Sequence, residues 1–525
     1  MFFQVLYDVE AHSKYASILF RLLLPTCVSY IGWRLWRFTV VPRMQKYDPP
    51  VLPYWIPFLG NTIPFVKDAN GLLTQARQHF GQRREPFSIV LGGQTIYVLT
   101  SATDVTDAYR KTRELTFDGY VKAMLTTFIQ DEEAISRMWA SPPKFIRETK
   151  GPRYPNPNDL CIAHLGESIL VQQLNAGPQS KKTEDICIRK IEAKMAWNLI
   201  PESLTRTSDA KTKVLSLKQL CQSVLLQCAS RAIFGDVLMD TNPNLVNDFL
   251  KFDESSWQLN YRVPAFLCPD MHSGLESIRR AMTKYIALPP EQKQDASWML
   301  PIITDEMKAI GFSPRHTGSF FSSVFWLSNS NSWKLAFWMI SYIVYSPSLH
   351  SRVKAEVRAH IRASTSITDQ FANLQNCNWL MATYQETLRM TVSSTSVRRV
   401  EGDCVVGKRL FRKNGQLIIP YRQMLMDEEV FGHDAATFNP RRFVENPSLS
   451  RHPSYRPFGG GVTYCPGRSL ALKEMLAIVS LFVGNFDVRL LEPGGDFPKQ
   501  DETKPCLGVL APMRNVDVML KVKEI

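Results

Sequence analysis

The hydrophobic and polar positions of this chain follow a mostly helical pattern. Apolar residues recur at helical spacing over long stretches, among them Leu215–Ile233 and His350–Arg362. Two short β-rich runs, Phe87–Leu91 and Thr95–Leu99, flank Gly92-Gly93-Gln94, and this arrangement predicts a hairpin. Little else before residue 395 is strand-like. The pattern therefore predicts one mainly α domain with a small β part.

The longest apolar stretch of the body, Phe320–Tyr345, has polar residues in its middle. As a helix it would measure about 39 Å, long enough to resemble a membrane span. The run Ser328-Asn329-Ser330-Asn331-Ser332, followed by Lys334, would be costly against lipid. We therefore expect a buried central helix with a polar notch. Pro347 suits the first position of the next helix, where its missing N–H costs nothing.

The amino-terminal segment Tyr15–Trp33 is apolar and would span about 28 Å as a helix, close to the thickness of a bilayer core. It predicts a membrane anchor over residues 1–40, although Arg21 and Pro25 weaken the pattern. The alternatives are an interfacial helix or a buried one. The basic residues after the segment keep the body on the cytoplasmic side. They are Arg34, Arg37, Arg43 and Lys46.

A proline-rich stretch follows the anchor, at residues 41–60. Because proline fixes φ and removes a backbone donor, this stretch is expected to be a stiff, extended elbow. Its prolines after Asp48 are Pro49, Pro50, Pro53 and Pro57. The remaining residues, 61–525, form the globular body, in which no internal repeat is found.

The charge of the chain favours anionic partners. Its 62 lysines and arginines exceed its 49 acidic residues, which gives a net charge of +13. The densest basic spots are only isolated pairs, such as Lys181-Lys182 and Arg398-Arg399, so nucleic acid is not an expected partner. The 10 cysteines include no C-x-x-C pair, which leaves zinc-ribbon, redox and disulfide-scaffold interpretations without their spacing.

One cysteine has an informative setting. The segment from Phe458 through Gly461 and Cys465 to Gly467 matches F-x-x-G-x-x-x-C-x-G, whose chance expectation in this composition is on the order of 10⁻³. Glycines let a backbone approach a flat ligand closely, and N–H groups around the sulfur stabilise a thiolate. The following RSLALKEMLAIVSLF predicts a helix whose N-terminus lies near that sulfur.

Two weaker motifs precede the cysteine loop. Glu386-Thr-Leu-Arg389 is an E-x-x-R on a helical pattern, and Pro440-Arg441-Arg442-Phe443 is a P-x-R-F. Each alone is ordinary, since an i, i+3 ion pair is common on helices. Because they occur in this order before the cysteine loop, the combination of the three motifs is specific. Together these motifs resemble the cytochrome P-450 family, and the resemblance covers nearly the whole chain.

The resemblance implies the cytochrome P-450 fold, with haem b between the central helix and the cysteine loop. It implies Cys465 as the axial thiolate ligand, Phe458, Gly461 and Gly467 as further cofactor-binding residues, and a haem-thiolate catalytic domain over 61–525. A thiolate opposite O₂ favours O–O cleavage. The implied structural triad is Glu386, Arg389 and Arg442.

The resemblance also implies partners and location. NADPH-cytochrome P-450 reductase, an apolar small-molecule substrate and membrane lipids are the expected partners. The expected protein is a monomer on the endoplasmic reticulum membrane, with a single N-terminal anchor and a cytoplasmic catalytic domain.

The central helix departs from the family pattern A/G-G-x-D/E-T-T/S. Ser330 stands at the acid position and Asn331 at the threonine position, so Asn331, Ser332 and water are the candidates for proton delivery. The phrase FWLSNSNSWKLAFW resembles the branch that contains cholesterol 7α-hydroxylase, sterol 12α-hydroxylase and prostacyclin synthase. That branch includes both hydroxylases and an isomerase, and Asn331 does not discriminate them.

Two further departures concern the haem propionates. Thr463 stands where the family often has a basic residue, and the family's Trp-x-x-x-Arg occurs only as Trp33 to Arg37, inside the anchor. Arg398, after the E-x-x-R helix, is the candidate for a propionate partner. The alternative for Arg398 is an arginine on a surface strand.

The leading hypothesis is a membrane-anchored haem-thiolate monooxygenase that oxidises a largely apolar small molecule. The divergent first half resembles enzymes of fungal secondary metabolism, and a terpenoid or sterol-like substrate is expected. The second hypothesis is a haem-thiolate isomerase or dehydratase that acts on a peroxide without a reductase. The third is a catalytically silent haem- or lipid-binding membrane protein.

Overall fold

The structure is a computed structural model that describes residues 23–140, 154–200, 205–208, 211–260, 263, 265–362, 371 and 373–525. Helices make up most of it. After the helical amino-terminal residues 23–44, the helices of eight residues or more are α1 (Ala69–His79), α2 (Ala102–Arg110), α3 (Asp118–Ile129), α4 (Glu132–Trp139), α5 (Ile162–Leu174), α6 (Pro178–Lys194), α7 (Leu217–Phe234), α8 (Leu245–Ser255), α9 (Pro269–Ala287), α10 (Met299–Ala309), α11 (Pro314–Asn329), α12 (Ser332–Val344), α13 (Pro347–Arg362), α14 (Asn378–Thr391) and α15 (Arg468–Asn485).

Shorter helical segments connect these elements. They are Trp36–Val40, Val41–Met44, Thr62–Lys67, Trp197–Leu199, Asp236–Asp240, Trp257–Asn260, Ala265–Leu267, Pro290–Gln292, Leu374–Asn376, Tyr421–Leu425, Glu428–Phe431, Arg441–Glu445, Pro447–Arg451 and Gly461–Thr463. The prediction of a mainly α fold is confirmed. The start of α13 at Pro347 also agrees with the sequence. At the start of α11, Ser313 accepts the N–H of His316 and Pro314 takes the first helical position.

The strands form three small sheets in the described part of the chain. They are β1 (Phe87–Leu91), β2 (Gln94–Val98), β3 (Leu115–Thr116), β4 (Thr205–Ser208), β5 (Thr212–Ser216), β6 (Thr395–Val400), β7 (Cys404–Val406), β8 (Arg409–Phe411), β9 (Gln416–Pro420), β10 (Phe486–Leu490) and β11 (Met519–Glu524). The strand orders are β1-β2-β9-β6-β3, β10-β11-β5-β4 and β7-β8. Only the β2–β9 pair is parallel among the described strand pairs.

The predicted hairpin is present, with Phe87 opposite Val98 and Leu91 opposite Gln94. The sequence missed β4 and β5. Residue Leu215, assigned to a helix from its apolar neighbours, lies in β5, and the helix α7 begins at Leu217. Strand β5 pairs with β11 near the carboxyl end of the chain, with Leu215 opposite Leu520. Its other partner, β4, is adjacent in the chain, but both strands are short, so the local signal is weak.

The central helix is divided in two. Helix α11 ends at Asn329, and α12 starts at Ser332, so the polar notch is a break in the helix. Most apolar residues on both sides of the break are buried in the main core, and Phe337 and Trp338 are fully inaccessible. The segment is internal to the body, as predicted, but the prediction of one continuous helix is wrong, because the helix is interrupted at Ser330 and Asn331.

The amino-terminal prediction falls partly outside the described residues, since Tyr15–Trp33 begins before residue 23. Residues 23–44 are helical, and Arg34 on this segment donates a hydrogen bond to the carbonyl of Tyr54 at 2.9 Å. Within the residues that the structure describes, no helix combines the length and apolar character needed to cross a bilayer. The elbow is attached to the body, because Val51 forms a parallel bridge with Ser88 of β1.

Candidate active site

The cysteine loop positions one thiol at the start of α15. The N–H of Cys465 donates to the carbonyl of Phe458 at 3.0 Å, which closes the loop. The N–H of Gly467, the residue before α15, donates to the sulfur. Burial raises the pKa of the Cys465 thiol, while this N–H and the charge of Arg468 oppose the shift. The groups that oppose it are those that stabilise a thiolate.

The glycines of the loop have a packing role that the sequence did not reveal. Gly461 has a φ of +62°, and a Cβ there would lie 2.8 Å from the ring of Tyr109. Tyr109 is on α2, and its hydroxyl is 2.5 Å from the hydroxyl of Tyr421. The loop therefore requires glycine at this position because an aromatic ring fills the space beside its backbone.

The three residues predicted as a structural triad are in contact. Glu386 and Arg389 form a bidentate ion pair on α14, with Glu386 Oε1 2.7 Å from Arg389 Nη2 and Glu386 Oε2 2.8 Å from Arg389 Nε. Arg442 Nε lies 3.1 Å from Glu386 Oε1. Arg389 also donates to the carbonyls of Leu425 and Ala435. Each charge is thus buried with partners, and the cluster holds α14 to the segment that precedes the cysteine loop.

Arg398 is a buried cation on β6, 3% exposed, rather than a surface residue. Its Nη2 donates to the Thr463 hydroxyl of the cysteine loop at 2.6 Å, and its other bonds go to Ser396 and to the carbonyl of Val397. Burial lowers the pKa of this guanidinium from its usual value. No carboxylate pairs with Arg398 among the described residues, so the cation has capacity for an anion beside the loop.

The break in the central helix directs its three polar residues to three different partners. The Ser330 hydroxyl donates back to the carbonyl of Trp326 at 2.6 Å. Asn331 Oδ1 accepts the N–H of Val509 at 2.8 Å. The Ser332 hydroxyl donates to Glu474 Oε2 at 2.5 Å. Only Ser332 of these three therefore contacts an acid.

Glu474 is the functional candidate that the sequence analysis missed. It lies on α15, 2% exposed, and its second oxygen accepts from the Cys187 thiol of α6 at 3.8 Å. Burial raises the pKa of Glu474 to about 7, and the hydrogen bonds from Ser332 and Cys187 only partly oppose this. The signal in the sequence that could have identified Glu474 is that it is the one acidic residue in the largely apolar run RSLALKEMLAIVSLF after Cys465.

The central helix has one exposed apolar side chain close to its break. Leu327, one turn before Asn331, is 56% exposed although Phe325 and Trp326 are buried. The cysteine loop has a half-buried thiol and the half-buried Phe458. An open helix face, a thiol that accepts an N–H and a buried arginine without a carboxylate together fit an iron porphyrin with anionic propionates. A bound porphyrin would add a flat apolar surface as well as the negative charge of its propionates.

The comparison with protein families agrees with this geometry. The cytochrome P450 family model matches residues 194–519, which is more than half of the chain. The chain belongs to the cytochrome P450 family, whose cofactor is haem b with an axial cysteine thiolate. The predicted fold and cofactor are therefore confirmed.

Relatives along the full length give the class of reaction. The chain is 24% identical to cytochrome P450 monooxygenase poxD of Penicillium oxalicum, over 89% of this chain and 92% of the relative. It is 24% identical to the 7-alpha-hydroxycholest-4-en-3-one 12-alpha-hydroxylase of Oryctolagus cuniculus, over 96% and 99%. It is 27% identical to the 5-beta-cholestane-3-alpha,7-alpha-diol 12-alpha-hydroxylase of Sus scrofa, over 90% and 93%. The protein is a haem-thiolate monooxygenase, an enzyme class that uses a redox partner and binds apolar substrates.

Proposed function

We propose that this enzyme hydroxylates a largely apolar molecule of sterol or terpenoid type, with Cys465 as the axial ligand of the haem iron. Two of the relatives above carry names of sterol hydroxylases, which supports a sterol-type substrate, and a third carries the name of a fungal monooxygenase. When bound, the haem activates O₂ with electrons from NADPH. The protein's own residues hold the cofactor, exclude water and deliver protons.

The residues that hold the cofactor act from two sides. Cys465 provides the thiolate, and Phe458, Gly461 and Gly467 shape the loop around it. Arg398 provides a buried positive charge for a propionate, with the Thr463 hydroxyl holding its guanidinium. Glu386, Arg389 and Arg442 keep the surrounding elements in place.

The contact between Ser332 and Glu474 is the observation that carries the proposed monooxygenase role. Oxygen activation needs protons, and the central helix has no acid of its own at the break. Glu474 holds a proton on its carboxyl group near neutral pH, and the hydroxyl of Ser332, which is only half buried, donates to that carboxyl and is the group through which a proton would leave it. Asn331 uses its Oδ1 for the bond to Val509, so its Nδ2 group can hold a water molecule of the proton path. Rearrangement of a peroxide needs no such proton supply.

We further propose NADPH-cytochrome P-450 reductase as the electron donor and the endoplasmic reticulum membrane as the location. The basic excess of the chain favours an acidic partner. Trp55 and Phe58 of the elbow are 74% and 85% exposed, which suits contact with lipid beside the amino-terminal segment. The catalytic domain would then stay on the cytoplasmic side as a monomer.

Two measurements test the proposed function. The first is the absorption spectrum of the reduced CO complex. Cys465→Ala is expected to abolish the band typical of a thiolate ligand, whereas the control Cys506→Ala, also a half-buried cysteine, keeps it. Survival of the band in Cys465→Ala would show that another residue is the ligand.

The second measurement is turnover of 7α-hydroxycholest-4-en-3-one with and without reductase and NADPH. The expected product contains one added oxygen atom and requires both. A product that forms from a peroxide probe without reductase would instead support the isomerase hypothesis. NADPH oxidation should also fall when O₂ is removed.

A further inference from the structure

Gly508 of the C-terminal segment lies directly against the break in the central helix. A Cβ atom at Gly508 would lie 2.1 Å from Oδ1 of Asn331, 2.6 Å from its Cγ and 2.7 Å from its Nδ2. The backbone of Gly508 does not have the positive φ that favours glycine, unlike that of Gly494. Glycine is therefore needed for space, because the amide group of Asn331 occupies the volume in which any other side chain would begin.

The segment that carries Gly508 is held on two sides. The N–H of Ser393 donates to the carbonyl of Gly508 at 2.9 Å, and the N–H of Leu510 donates to the carbonyl of Thr391 at 2.8 Å. The indole N–H of Trp338, on α12, donates to the carbonyl of Leu510 at 2.6 Å. The segment is thus attached to the end of α14 and to the central helix, so a side chain added at Gly508 would displace the helix break rather than the segment.

Asn331 is one of the two residues that separate α11 from α12. Its Oδ1 accepts the N–H of Val509 at 2.8 Å, and its carbonyl accepts the N–H of Leu335 at 3.0 Å. The next residue, Ser332, is the first of α12, and its hydroxyl donates to Glu474 at 2.5 Å. A movement of Asn331 is therefore passed directly to the residue whose hydroxyl must point at the carboxyl group.

The displacement that a side chain at Gly508 requires is large on the scale of a hydrogen bond. Ordinary van der Waals contact needs about 3.5 Å, so the Asn331 amide would shift by on the order of 1 Å to admit a Cβ atom. Hydrogen bonds between two oxygen atoms fall within about 2.5 to 3.0 Å. A shift of this size at the residue before Ser332 is enough to break the contact with Glu474.

We propose that Gly508 is a positioning residue for proton delivery. By leaving room for the Asn331 amide, it fixes the conformation of the helix break and so directs the Ser332 hydroxyl at Glu474. Gly508 acts through Asn331 and takes no part in the chemistry itself. This inference rests on the proposed function, because the contact that Gly508 preserves is the one assigned to the proton supply.

The first test measures product formed per NADPH, with haem-loaded protein, reductase and 7α-hydroxycholest-4-en-3-one. In Gly508→Ala this ratio should fall about tenfold, the effect expected from loss of the Ser332 contact, while NADPH oxidation continues. The control Gly495→Ala should match wild type, because its φ is not positive and a Cβ atom there would lie 3.5 Å from the Glu492 carbonyl oxygen, an ordinary contact.

The second test needs no turnover and uses the infrared C=O band of the protonated Glu474 carboxyl group. The band is measured at pH 6, below the pKa of about 7, and is identified by its loss in Glu474→Gln. A carboxyl group that loses a hydrogen bond to its C=O oxygen absorbs at higher frequency. The band of Gly508→Ala should therefore move to the position seen in Ser332→Ala, whereas the band of Gly495→Ala should coincide with that of wild type.

A double variant covers the case in which Gly508→Ala does not fold. Gly508→Ala with Asn331→Ala removes the amide that the added Cβ atom would meet, so it should accumulate with haem as Asn331→Ala does. Product per NADPH should agree within about twofold between these two proteins, because changes that act through one contact are not additive. A further fall of about tenfold in the double variant would show that Gly508 does not act through Asn331, and its positioning role would be wrong.

The outcomes separate this inference from the proposed function. If Gly508→Ala keeps the wild-type infrared band or the wild-type product per NADPH, the positioning role of Gly508 in proton delivery is wrong. Such a result would leave reductase-dependent turnover and the Cys465 assignment untouched. If product forms without reductase, the proposed monooxygenase role fails, yet a shifted Glu474 band in Gly508→Ala would still show that Gly508 directs Ser332.

Discussion

Two buried glutamates of this protein have the same side chain and nearly the same burial, and their surroundings differ. Glu386 meets two arginines, Arg389 at 2.7 Å and Arg442 at 3.1 Å. Glu474 meets a hydroxyl and a thiol, from Ser332 and Cys187, and no cation pairs with it in the described part of the chain. The first carboxylate is therefore fixed between two cations, whereas the second can exist in both protonation states near neutral pH.

The difference shows how one residue type serves two purposes. Two arginines hold the Glu386 carboxylate in one position, so Glu386 contributes geometry. A carboxyl group with an uncharged environment changes its proton content within the physiological range, so Glu474 is suited to proton transfer. The two glutamates differ in their hydrogen-bonding and ionic partners and not in burial, since both are inaccessible to solvent.

The largest effect is expected from breaking the charged cluster. Glu386→Ala leaves two buried guanidinium groups without their carboxylate, which should cost about 3 to 5 kcal/mol and prevent accumulation of haem-loaded protein. Haem content per mole of purified protein measures this. Glu401→Ala, which removes the exposed partner of Arg399, is the control and should incorporate haem normally. A well-expressed, haem-loaded Glu386→Ala protein would contradict the structural role.

The second prediction uses the pH dependence of unfolding. The pKa of Glu474 is raised from 4.5 to about 7, so between these values the folded protein binds more protons than the unfolded chain. Stability therefore falls as pH rises through this window, by about 3 kcal/mol in all, and then levels off. Glu474→Gln should lose that part of the slope in denaturant titrations at several pH values.

Its control is Glu445→Gln, at an exposed position, which should keep the wild-type slope. An unchanged slope in Glu474→Gln would mean that Glu474 does not hold its proton in this range. Infrared spectra provide an independent check, since the carboxylic acid C=O band of wild type at pH 6 should be absent in Glu474→Gln.

The third prediction concerns coupling of electron flow to product. If Glu474 supplies protons through Ser332, Glu474→Gln should lower product formed per NADPH by about tenfold, which corresponds to about 1.4 kcal/mol, while NADPH oxidation continues. Ser332→Ala should have the same effect, and Ser330→Ala should not, because the Ser330 hydroxyl bonds to its own helix. If all three variants form the same amount of product per NADPH, the proposed proton relay through Glu474 and Ser332 is wrong.

The smallest effect is expected for Asn331. Its Oδ1 accepts the Val509 N–H, and a Cβ on Gly508 would lie 2.1 Å from that oxygen, so the side chain fits closely against the C-terminal segment. Asn331→Ala should cost about 1 kcal/mol through the lost hydrogen bond. Asn331→Asp, which keeps the acceptor, should restore the melting temperature. Failure of this rescue would assign Asn331 mainly to water binding and proton transfer, as the sequence first indicated.

Local patterns in the sequence determined much of this protein. The cysteine loop and the E-x-x-R pair are short-range features, because residues three or four apart on a helix are neighbours in any fold. The hairpin of β1 and β2 and the start of α13 at Pro347 are likewise set by adjacent residues. These features were sufficient for the fold class, the family and the cofactor.

Only the tertiary structure decided the contacts between distant residues. Ser332 and Glu474 are 142 positions apart, and Arg398 and Thr463 are 65 apart. The pairing of β5 with β11, near the carboxyl end of the chain, is a contact of the same kind. Periodicity identifies which face of a helix is buried but not which side chain it meets, because that depends on how all the elements pack. The acid missing from the central helix was therefore found on a different helix.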